Sequence, residues 1–368
     1  MKHTDLSDYD VHLLSLQHFG KTVKIQKYDG FDVNFTMWGS SNTNMGYDVA
    51  PKVINAVRPS VIMTMCDVGF QEGYYKMLKT MEYTGRWLAY TPVDDLKIEY
   101  WQEEGYKKIS EIGTVVAMSK YGKRKLKEIG IKAEYVPHGV DPNVFKPLPL
   151  QERKKMRESV GLKGKWVVFS NALNQDRKMW RPLIEGFSIF ARNKDDVFYL
   201  MHTDEKPSSE RFGGWNISYL ARKYKISNKA GFTHPPALQN WFWRYLFTDD
   251  MINKLYNSSM VYLAGGAEGF GLPTLEAQAA GIPVVAGDQT ATSELIPYGF
   301  PVKIEYTQYG KHGTEFGIPS AEDIAVKLNK LYNDTSLRLK KAKQARKFAL
   351  KYDWKDICKE WNRILCSS

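Results

Sequence analysis

The stretch GGAEGFGLPTLEAQAAGIPVVAG (Gly265–Gly287) decides the fold of the region around it. The preceding MVYLAG and the final IPVVAG are short apolar runs, typical of buried strands. Between them, PTLEAQAAG predicts a helix, because Pro273 suits a first turn and Gly281 suits the residue just past a helix end. The stretch therefore predicts a strand, a glycine-rich loop, a helix and a second strand parallel to the first.

The expected start of this helix is suited to an anion. The first N–H groups of a helix lack intrahelical partners, and the helix dipole places partial positive charge there. Gly269 and Gly271 remove side chains where a ligand would approach the backbone. Glu268 and Glu276 can accept hydrogen bonds from sugar or ribose hydroxyls. This combination favours a nucleotide sugar, and the alternative is an ordinary turn in which Glu276 only complements the dipole.

The composition indicates a globular protein with anionic partners. The chain has 368 residues, 43% hydrophobic content and a net charge of +11. No apolar run approaches the ~20 residues of a membrane span, and the first ten residues lack the apolar core of a secretion signal. The three unpatterned cysteines indicate reduced thiols in a cytoplasmic protein.

Two basic stretches, residues 119–132 and 337–352, are expected to be solvated helix faces. Contact with an anionic face of the inner membrane is a less favoured alternative. Specific nucleic-acid recognition is not expected, because no zinc-finger or aromatic-glycine RNA pattern is present.

Strand and helix patterns alternate along the chain, beginning with an apolar strand at residues 11–16, which predicts parallel sheets with helices on both faces. Prolines and charges interrupt the alternation near residues 146–152, where we place a linker. We expect one domain over residues 1–148 and a second domain over residues 149–368.

Four segments in series resemble the retaining GT-B glycosyltransferases of family 4, the glycosyl transferases group 1. They are LAYTPVDD, VPHGVDPNVFKP (residues 136–147), NQDRK (residues 174–178) and EGFGLPTLEA. The resemblance implies an α/β fold of two Rossmann-like, doubly wound parallel-sheet domains facing a cleft. It implies that residues 1–148 form the acceptor-side domain and residues 149–368 the nucleotide-sugar-binding domain, with residues 352–366 packing back on the first domain. It also implies that the N-terminal domain is shortened, without the glycine-rich loop with which the family usually begins.

The resemblance further implies roles for individual residues. Glu276 would hold the nucleotide ribose, and Glu268 would hold the donor sugar. Arg177 and Lys178 would neutralise the departing diphosphate without a metal. The remaining donor-binding positions would be Gly269, Phe270, Gly271, Leu272, Thr274 and Asn174. Many relatives carry a further arginine where this chain has Ala172 and Leu173.

Two further residues have open interpretations. His138, at the expected crossing between domains, could donate a hydrogen bond to substrate or could simply fill the interface. Asp94 is expected to accept a hydrogen bond from the acceptor hydroxyl, whereas Asp95 is expected to cap a helix.

The sequence thus predicts a retaining hexosyltransferase that uses a UDP- or GDP-linked sugar, with no separate cofactor and no metal site. Its acceptor would be a hydroxyl of a glycan, a lipid or a protein. The alternative is a non-catalytic nucleotide-sugar-binding relative.

Overall fold

The computed structural model describes residues 9–15, 22–28, 31–40, 45–207, 213–233, 247–310 and 313–366, and the structural statements below concern these ranges. None of the helices within them has the length and apolar character needed to cross a bilayer.

The N-terminal half contains two sheets. A three-stranded sheet has the order β1-β3-β2, where β1 is Val11–Ser15, β2 is Val23–Tyr28 and β3 is Phe31–Gly39. A parallel sheet has the order β4-β5-β6-β7, from β4 (Val61–Met65), β5 (Arg86–Thr91), β6 (Thr114–Ala117) and β7 (Glu134–Tyr135). The helices are α1 (Ala50–Val57), α2 (Val68–Thr80), α3 (Tyr100–Ile112) and α4 (Lys120–Glu128).

The C-terminal half is built on one six-stranded sheet. Its strands are β8 (Trp166–Asn171), β9 (Val197–His202), β10 (Ala230–Phe232), β11 (Val261–Ala264), β12 (Val284–Gly287) and β13 (Phe300–Val302). Every neighbouring pair is parallel, in the order β10-β9-β8-β11-β12-β13. This is the strand order of dinucleotide-binding folds, which reverses direction between β8 and β11.

Helices cover both faces of this sheet, and an antiparallel hairpin of β14 (Ile304–Tyr309) and β15 (Glu315–Pro319) follows it. The helices are α5 (Leu150–Ser159), α6 (Trp180–Phe190), α7 (Ile217–Lys223), α8 (Asp249–Ser258), α9 (Leu272–Ala279), α10 (Thr290–Leu295), α11 (Ala321–Asn333), α12 (Thr335–Ala349) and α13 (Trp354–Cys366). Strands such as β8 and β12 are almost wholly buried, because helices lie on both of their faces.

Helix α13 lies against the N-terminal half. Arg86 donates hydrogen bonds to the carbonyl oxygens of Ile364 (2.7 Å) and Leu365 (3.0 Å), at the helix end where the dipole favours a cation. The ring of Trp361 meets Tyr90 edge-on, with centroids 4.8 Å apart. One continuous apolar cluster therefore includes residues of both halves and of α13.

The structure corrects several expectations. The strand predicted at residues 11–16 is observed at Val11–Ser15, but it is only partly buried and Leu13 is 40% exposed. The predicted alternation of strands and helices also did not include the antiparallel strand pairs β2–β3 and β14–β15. Asp95 does not cap a helix: α3 begins at Tyr100, and Glu99 and Gln102 form its capping box.

Candidate functional site

The two halves of the chain meet at the carboxyl end of the six-stranded sheet. The backbone N–H of Leu96 donates to the carbonyl of Glu315 (2.9 Å). The carboxylate of Glu294 accepts hydrogen bonds from the first amides of α4, Lys120 N (3.0 Å) and Tyr121 N (2.8 Å). A Cβ added to Gly269 would lie 2.3 Å from the Cβ of Pro92, so glycine is needed there for the halves to approach.

The candidate site lies where the strand order reverses, between β8 and β11, and this place is called the switch point. In open parallel sheets, ligands bind beyond the carboxyl ends of strands at this point. The loop after β8 carries Arg177 and Lys178, and the loop after β11 carries Glu268. The topology therefore brings together two segments that are about 90 residues apart in the sequence.

Lys178 and Glu268 form a nearly buried ion pair. The Lys178 Nζ lies 2.6 Å from Oε1 and 2.5 Å from Oε2 of Glu268, and the side chains are 11% and 20% exposed. Burial, together with the neighbouring Arg177, lowers the pKa of Lys178 although Glu268 opposes this. Burial favours the neutral form of Glu268, but the two cations outweigh it and lower the pKa of Glu268.

Arg177 connects the two halves. Its Nη1 donates to the carbonyl of Ala267 (2.9 Å) and lies 3.4 Å from carboxylate oxygens of both Glu268 and Asp94. Burial disfavours the charged guanidinium, but Asp94 and Glu268 outweigh that effect and raise the pKa of Arg177. Its side chain is still 35% exposed, so it can also reach a ligand in the cleft.

Backbone donors lie beside these charges. The N–H groups of Gly269, Phe270 and Gly271 have no hydrogen-bond acceptor in the part of the chain that the structure describes. Gly271 is the N-cap of α9 with φ of 105°, a left-handed conformation that favours glycine. These amides and the dipole of α9 form an anion-attracting surface next to Lys178 and Arg177.

Glu276 follows in the same helix. It accepts a hydrogen bond of 2.8 Å from the Tyr256 hydroxyl. Burial raises the pKa of Glu276 to about 7, and the Tyr256 hydrogen bond partly opposes this rise. The residue therefore changes charge close to neutral pH.

His138 lies among aromatic rings at the crossing between the halves. Its Nδ1 is 3.2 Å from the Tyr90 hydroxyl, which uses its own proton for the carbonyl of Val136. His138 therefore donates from Nδ1, and its Nε2 carries a lone pair in the neutral ring. Burial lowers the pKa of His138 to about 4. The substrate hydrogen bond expected from the sequence stays a prediction, and in this tautomer Nε2 would accept it.

Three predicted donor-binding residues support the loops. Asn174 is fully buried and donates to the carbonyls of Asp204 and Trp215, so it holds its loop, and its contact with a donor stays a prediction. Thr274 is 2% exposed within α9. Leu272 is partly buried against the apolar cluster shared by both halves.

Two contributors were missed by the sequence analysis. Thr290, with φ of 49°, accepts a hydrogen bond from Glu268 N at 2.9 Å and holds the glutamate loop. Its place just after the strand IPVVAG is a positional signal that could have identified it. Tyr256 gave no signal, because its contact with Glu276 depends on how α8 packs on α9.

Within the described ranges, no group of three or more His, Cys, Asp or Glu side chains is arranged to hold a metal ion. The polar groups at the switch point are two cations, three carboxylates and free backbone amides. That set could hold an anionic ligand bearing hydroxyl groups.

Parts of the sequence are similar to two known proteins. A stretch of 132 residues is 31% identical to the sulfoquinovosyl transferase SQD2 of Arabidopsis thaliana, over 36% of this chain and 24% of that protein. A stretch of 179 residues is 24% identical to mannosylfructose-phosphate synthase of Agrobacterium fabrum, over 47% of this chain and 37% of that protein. The chain thus matches only between about a quarter and two fifths of the length of these relatives.

Solved structures extend the likeness to the whole fold. Anabaena HepE in complex with UDP and glucose superposes with a TM-score of 0.70 at 15% identity, over 91% of this chain and 86% of that one. The OtsA apo structure superposes with a TM-score of 0.72 at 10% identity, over 99% and 94%. At these identities the likeness shows the fold alone, and it is the GT-B fold of two facing Rossmann-like units.

The model of one protein family, described as "Glycosyl transferases group 1", matches residues 153–348, which is more than half of the 368-residue chain. That range contains Arg177, Lys178, Glu268 and Glu276, together with the switch point on which they converge. The chain belongs to the glycosyl transferases group 1 family.

Proposed function

We propose that this protein transfers a hexose from a nucleotide-diphosphate sugar to an acceptor hydroxyl, with retention of the anomeric configuration and without a metal ion. The observation that carries the proposal is the meeting of Arg177 and Lys178 with the free amides of Gly269–Gly271 at one switch point. The family, and relatives named as transferases, support the reaction class.

The charge distribution suits the bond that breaks. During transfer, the bond between sugar C1 and the phosphate oxygen breaks, a bond to the acceptor oxygen forms, and the acceptor proton passes to the departing phosphate oxygen. The departing diphosphate gains negative charge while the sugar becomes oxocarbenium-like. Fixed cations, amides and a helix dipole stabilise that negative charge without rearranging during the reaction.

In this proposal each of the three carboxylates accepts hydrogen bonds from a different set of hydroxyl groups. Glu268 accepts hydroxyl hydrogen bonds from the donor sugar, and its contacts with the two cations support a role near the diphosphate end. Glu276 accepts hydroxyl hydrogen bonds from the ribose. Asp94, on the N-terminal side of the cleft, accepts the hydrogen bond of the acceptor hydroxyl.

The direct test is turnover by purified protein. A thermal-shift screen of UDP- and GDP-linked sugars identifies the donor, because a ligand that binds only the folded state raises the melting temperature. Nucleotide release with a glycan, lipid and peptide acceptor panel then measures transfer, and NMR of the product reports its anomer. We expect turnover that is unchanged by EDTA and lost in Glu268→Gln. Binding of a nucleotide sugar without turnover on any acceptor would overturn the proposal in favour of a non-catalytic binder.

A further inference from the structure

A cavity lies at the end of the six-stranded sheet that is opposite to the candidate site. It has a volume of about 220 Å³. Met260, just before β11, and Pro283, just before β12, line it, so it opens at the amino ends of strands whose carboxyl ends form the switch point. Helices α5 and α12 form its other walls.

Three arginines line this cavity, and no lining residue is acidic. Arg153, Arg157 and Arg338 are all partly buried. Burial lowers the pKa of each, and the mutual repulsion of the three lowers that of Arg153 further. In the described ranges, none of the three forms an ion pair with a carboxylate. Partly buried guanidinium groups without a counter-charge indicate a missing anion.

The donors of these arginines are only partly used. Arg153 donates to the carbonyls of Asn257 (2.9 Å) and Ser259 (3.4 Å). Arg338 donates to the carbonyl of Leu331 (2.8 Å) and to the hydroxyl of Thr335 (3.3 Å). These bonds tie both side chains to the ends of neighbouring helices. The guanidinium of Arg157 has no hydrogen-bond partner among the described residues. Because each guanidinium has five N–H donors, most remain available to a ligand.

The rim of the cavity is apolar and exposed. Leu150 is 64% exposed and Leu339 is 63% exposed, and both line the cavity. Besides Arg338, α12 carries Lys340, Lys341, Lys343, Arg346 and Lys347 and no acidic residue. A site for a small soluble anion gains nothing from two exposed leucines, whereas a site that docks on a lipid surface does.

We propose that this arginine pocket, lined by Arg153, Arg157, Arg338, Leu150 and Leu339, binds the phosphate headgroup of an anionic phospholipid in a membrane surface. The guanidiniums hold the phosphate, the two leucines insert among the acyl chains, and the lysines of α12 add attraction to the surface. The donor site then lies at the far edge of the sheet, so docking leaves the cleft open.

The test uses the full chain and vesicle sedimentation, and it requires no turnover. Vesicles contain either phosphatidylcholine alone or a mixture with phosphatidylglycerol, in physiological salt. We expect binding only to the anionic vesicles. Arg157→Gln should weaken it about fivefold, the typical effect of one basic residue at an anionic surface. Leu339→Gln should weaken it by a similar factor without changing the net charge. Neither side chain holds other parts of the fold, so both variants should keep the melting temperature.

The matched control is Lys123→Gln, an exposed cation on α4 in the other basic stretch. It should change binding less than twofold. An equal loss of vesicle binding in Lys123→Gln and Arg157→Gln would show that the net charge of +11 attracts the protein diffusely, and it would overturn the proposal. Equal binding to both vesicle types would also overturn it. Saturable binding of inorganic phosphate that depends on Arg157, without vesicle binding, would assign the pocket to a soluble phosphate instead.

Discussion

The ammonium of Lys178 touches both carboxylate oxygens of Glu268, at 2.6 and 2.5 Å, and this contact joins the two loops of the switch point. Neither side chain has much access to water, at 11% and 20% exposure. The pair therefore holds the site together in the ligand-free protein. A diphosphate that binds there must share the lysine with Glu268.

This pairing predicts that stability and activity respond differently to substitution. Lys178→Met alone should destabilise the protein only modestly, because Arg177 still faces Glu268 at 3.4 Å. Glu268→Gln alone should destabilise it by about 3 kcal/mol, because it leaves the buried Lys178 ammonium without a carboxylate. The double variant should recover most of that loss while remaining inactive, because both the cation and the hydroxyl acceptor are gone. Urea denaturation measures the first effect and nucleotide release the second. Additive destabilisation in the double variant would show that the two residues do not depend on each other.

The contact between Asp94 and Arg177 predicts a shift from transfer towards nucleotide binding. The groups are 3.4 Å apart and Arg177 is 35% exposed, so the pair should contribute less than about 1 kcal/mol to stability. Asp94→Asn should release Arg177 for the diphosphate, so UDP should bind a few-fold more tightly. Transfer to the acceptor should fall, because the proposed acceptor contact is weakened. Calorimetry and steady-state kinetics measure these effects, and Asp288→Asn, at an exposed carboxylate, is the control. Weaker UDP binding in Asp94→Asn would contradict this account.

His138 predicts a loss of stability in mild acid. Burial lowers its pKa from 6.5 to about 4, so the folded protein prefers the neutral ring. The stability that the neutral His138 ring contributes is fully present above pH 6.5. It is lost as the pH falls towards 4, because the unfolded chain binds the proton first. The total effect is at most about 3 kcal/mol. The free energy of unfolding should therefore fall less steeply between pH 6.5 and 4 in His138→Phe than in the wild type. Parallel pH profiles would show that the histidine is not the acid-sensitive group.

The sequence predicted the parts of the fold that local patterns encode. The strand, loop and helix around Glu268 were predictable because apolar runs, Pro273 and Gly281 all act within a few residues. The hairpin β2–β3 was missed although the sequence Asp-Gly at positions 29 and 30, which lie outside the described residues, is a common hairpin signal. The hairpin β14–β15 gave a weaker signal, because five of the six residues of β14 are exposed and lack an apolar period.

The site was predictable as a set of residues but not as a set of contacts. Arg177 and Asp94 come from different halves, and their separation depends on how the halves meet. Asn174 looked like a ligand residue because it stands in the motif NQDRK, yet packing buries it. Local sequence indicates which side chains follow a strand, whereas their burial and partners depend on the whole fold.

Glu276 predicts a pH dependence of donor binding. Its pKa is about 7, so the carboxyl group is largely neutral at pH 6 and largely charged at pH 8. Hydroxyl groups donate more strongly to a carboxylate than to a neutral carboxyl, so affinity should rise about fivefold over this interval. The intact nucleotide sugar found in the thermal-shift screen is the suitable ligand, because its diphosphate does not titrate in this range.

The Tyr256 hydroxyl sets the position of this transition. Its hydrogen bond of 2.8 Å to Glu276 favours the charged form and lowers the pKa of Glu276. Tyr256→Phe should therefore move the midpoint of the affinity curve to higher pH, with the same plateau in alkali. Glu276→Gln should give a flat curve at the low-affinity level. If the midpoint stayed in place in Tyr256→Phe, or the curve kept its slope in Glu276→Gln, the titrating group would be a different one, and Glu276 would lose its proposed role at the ribose.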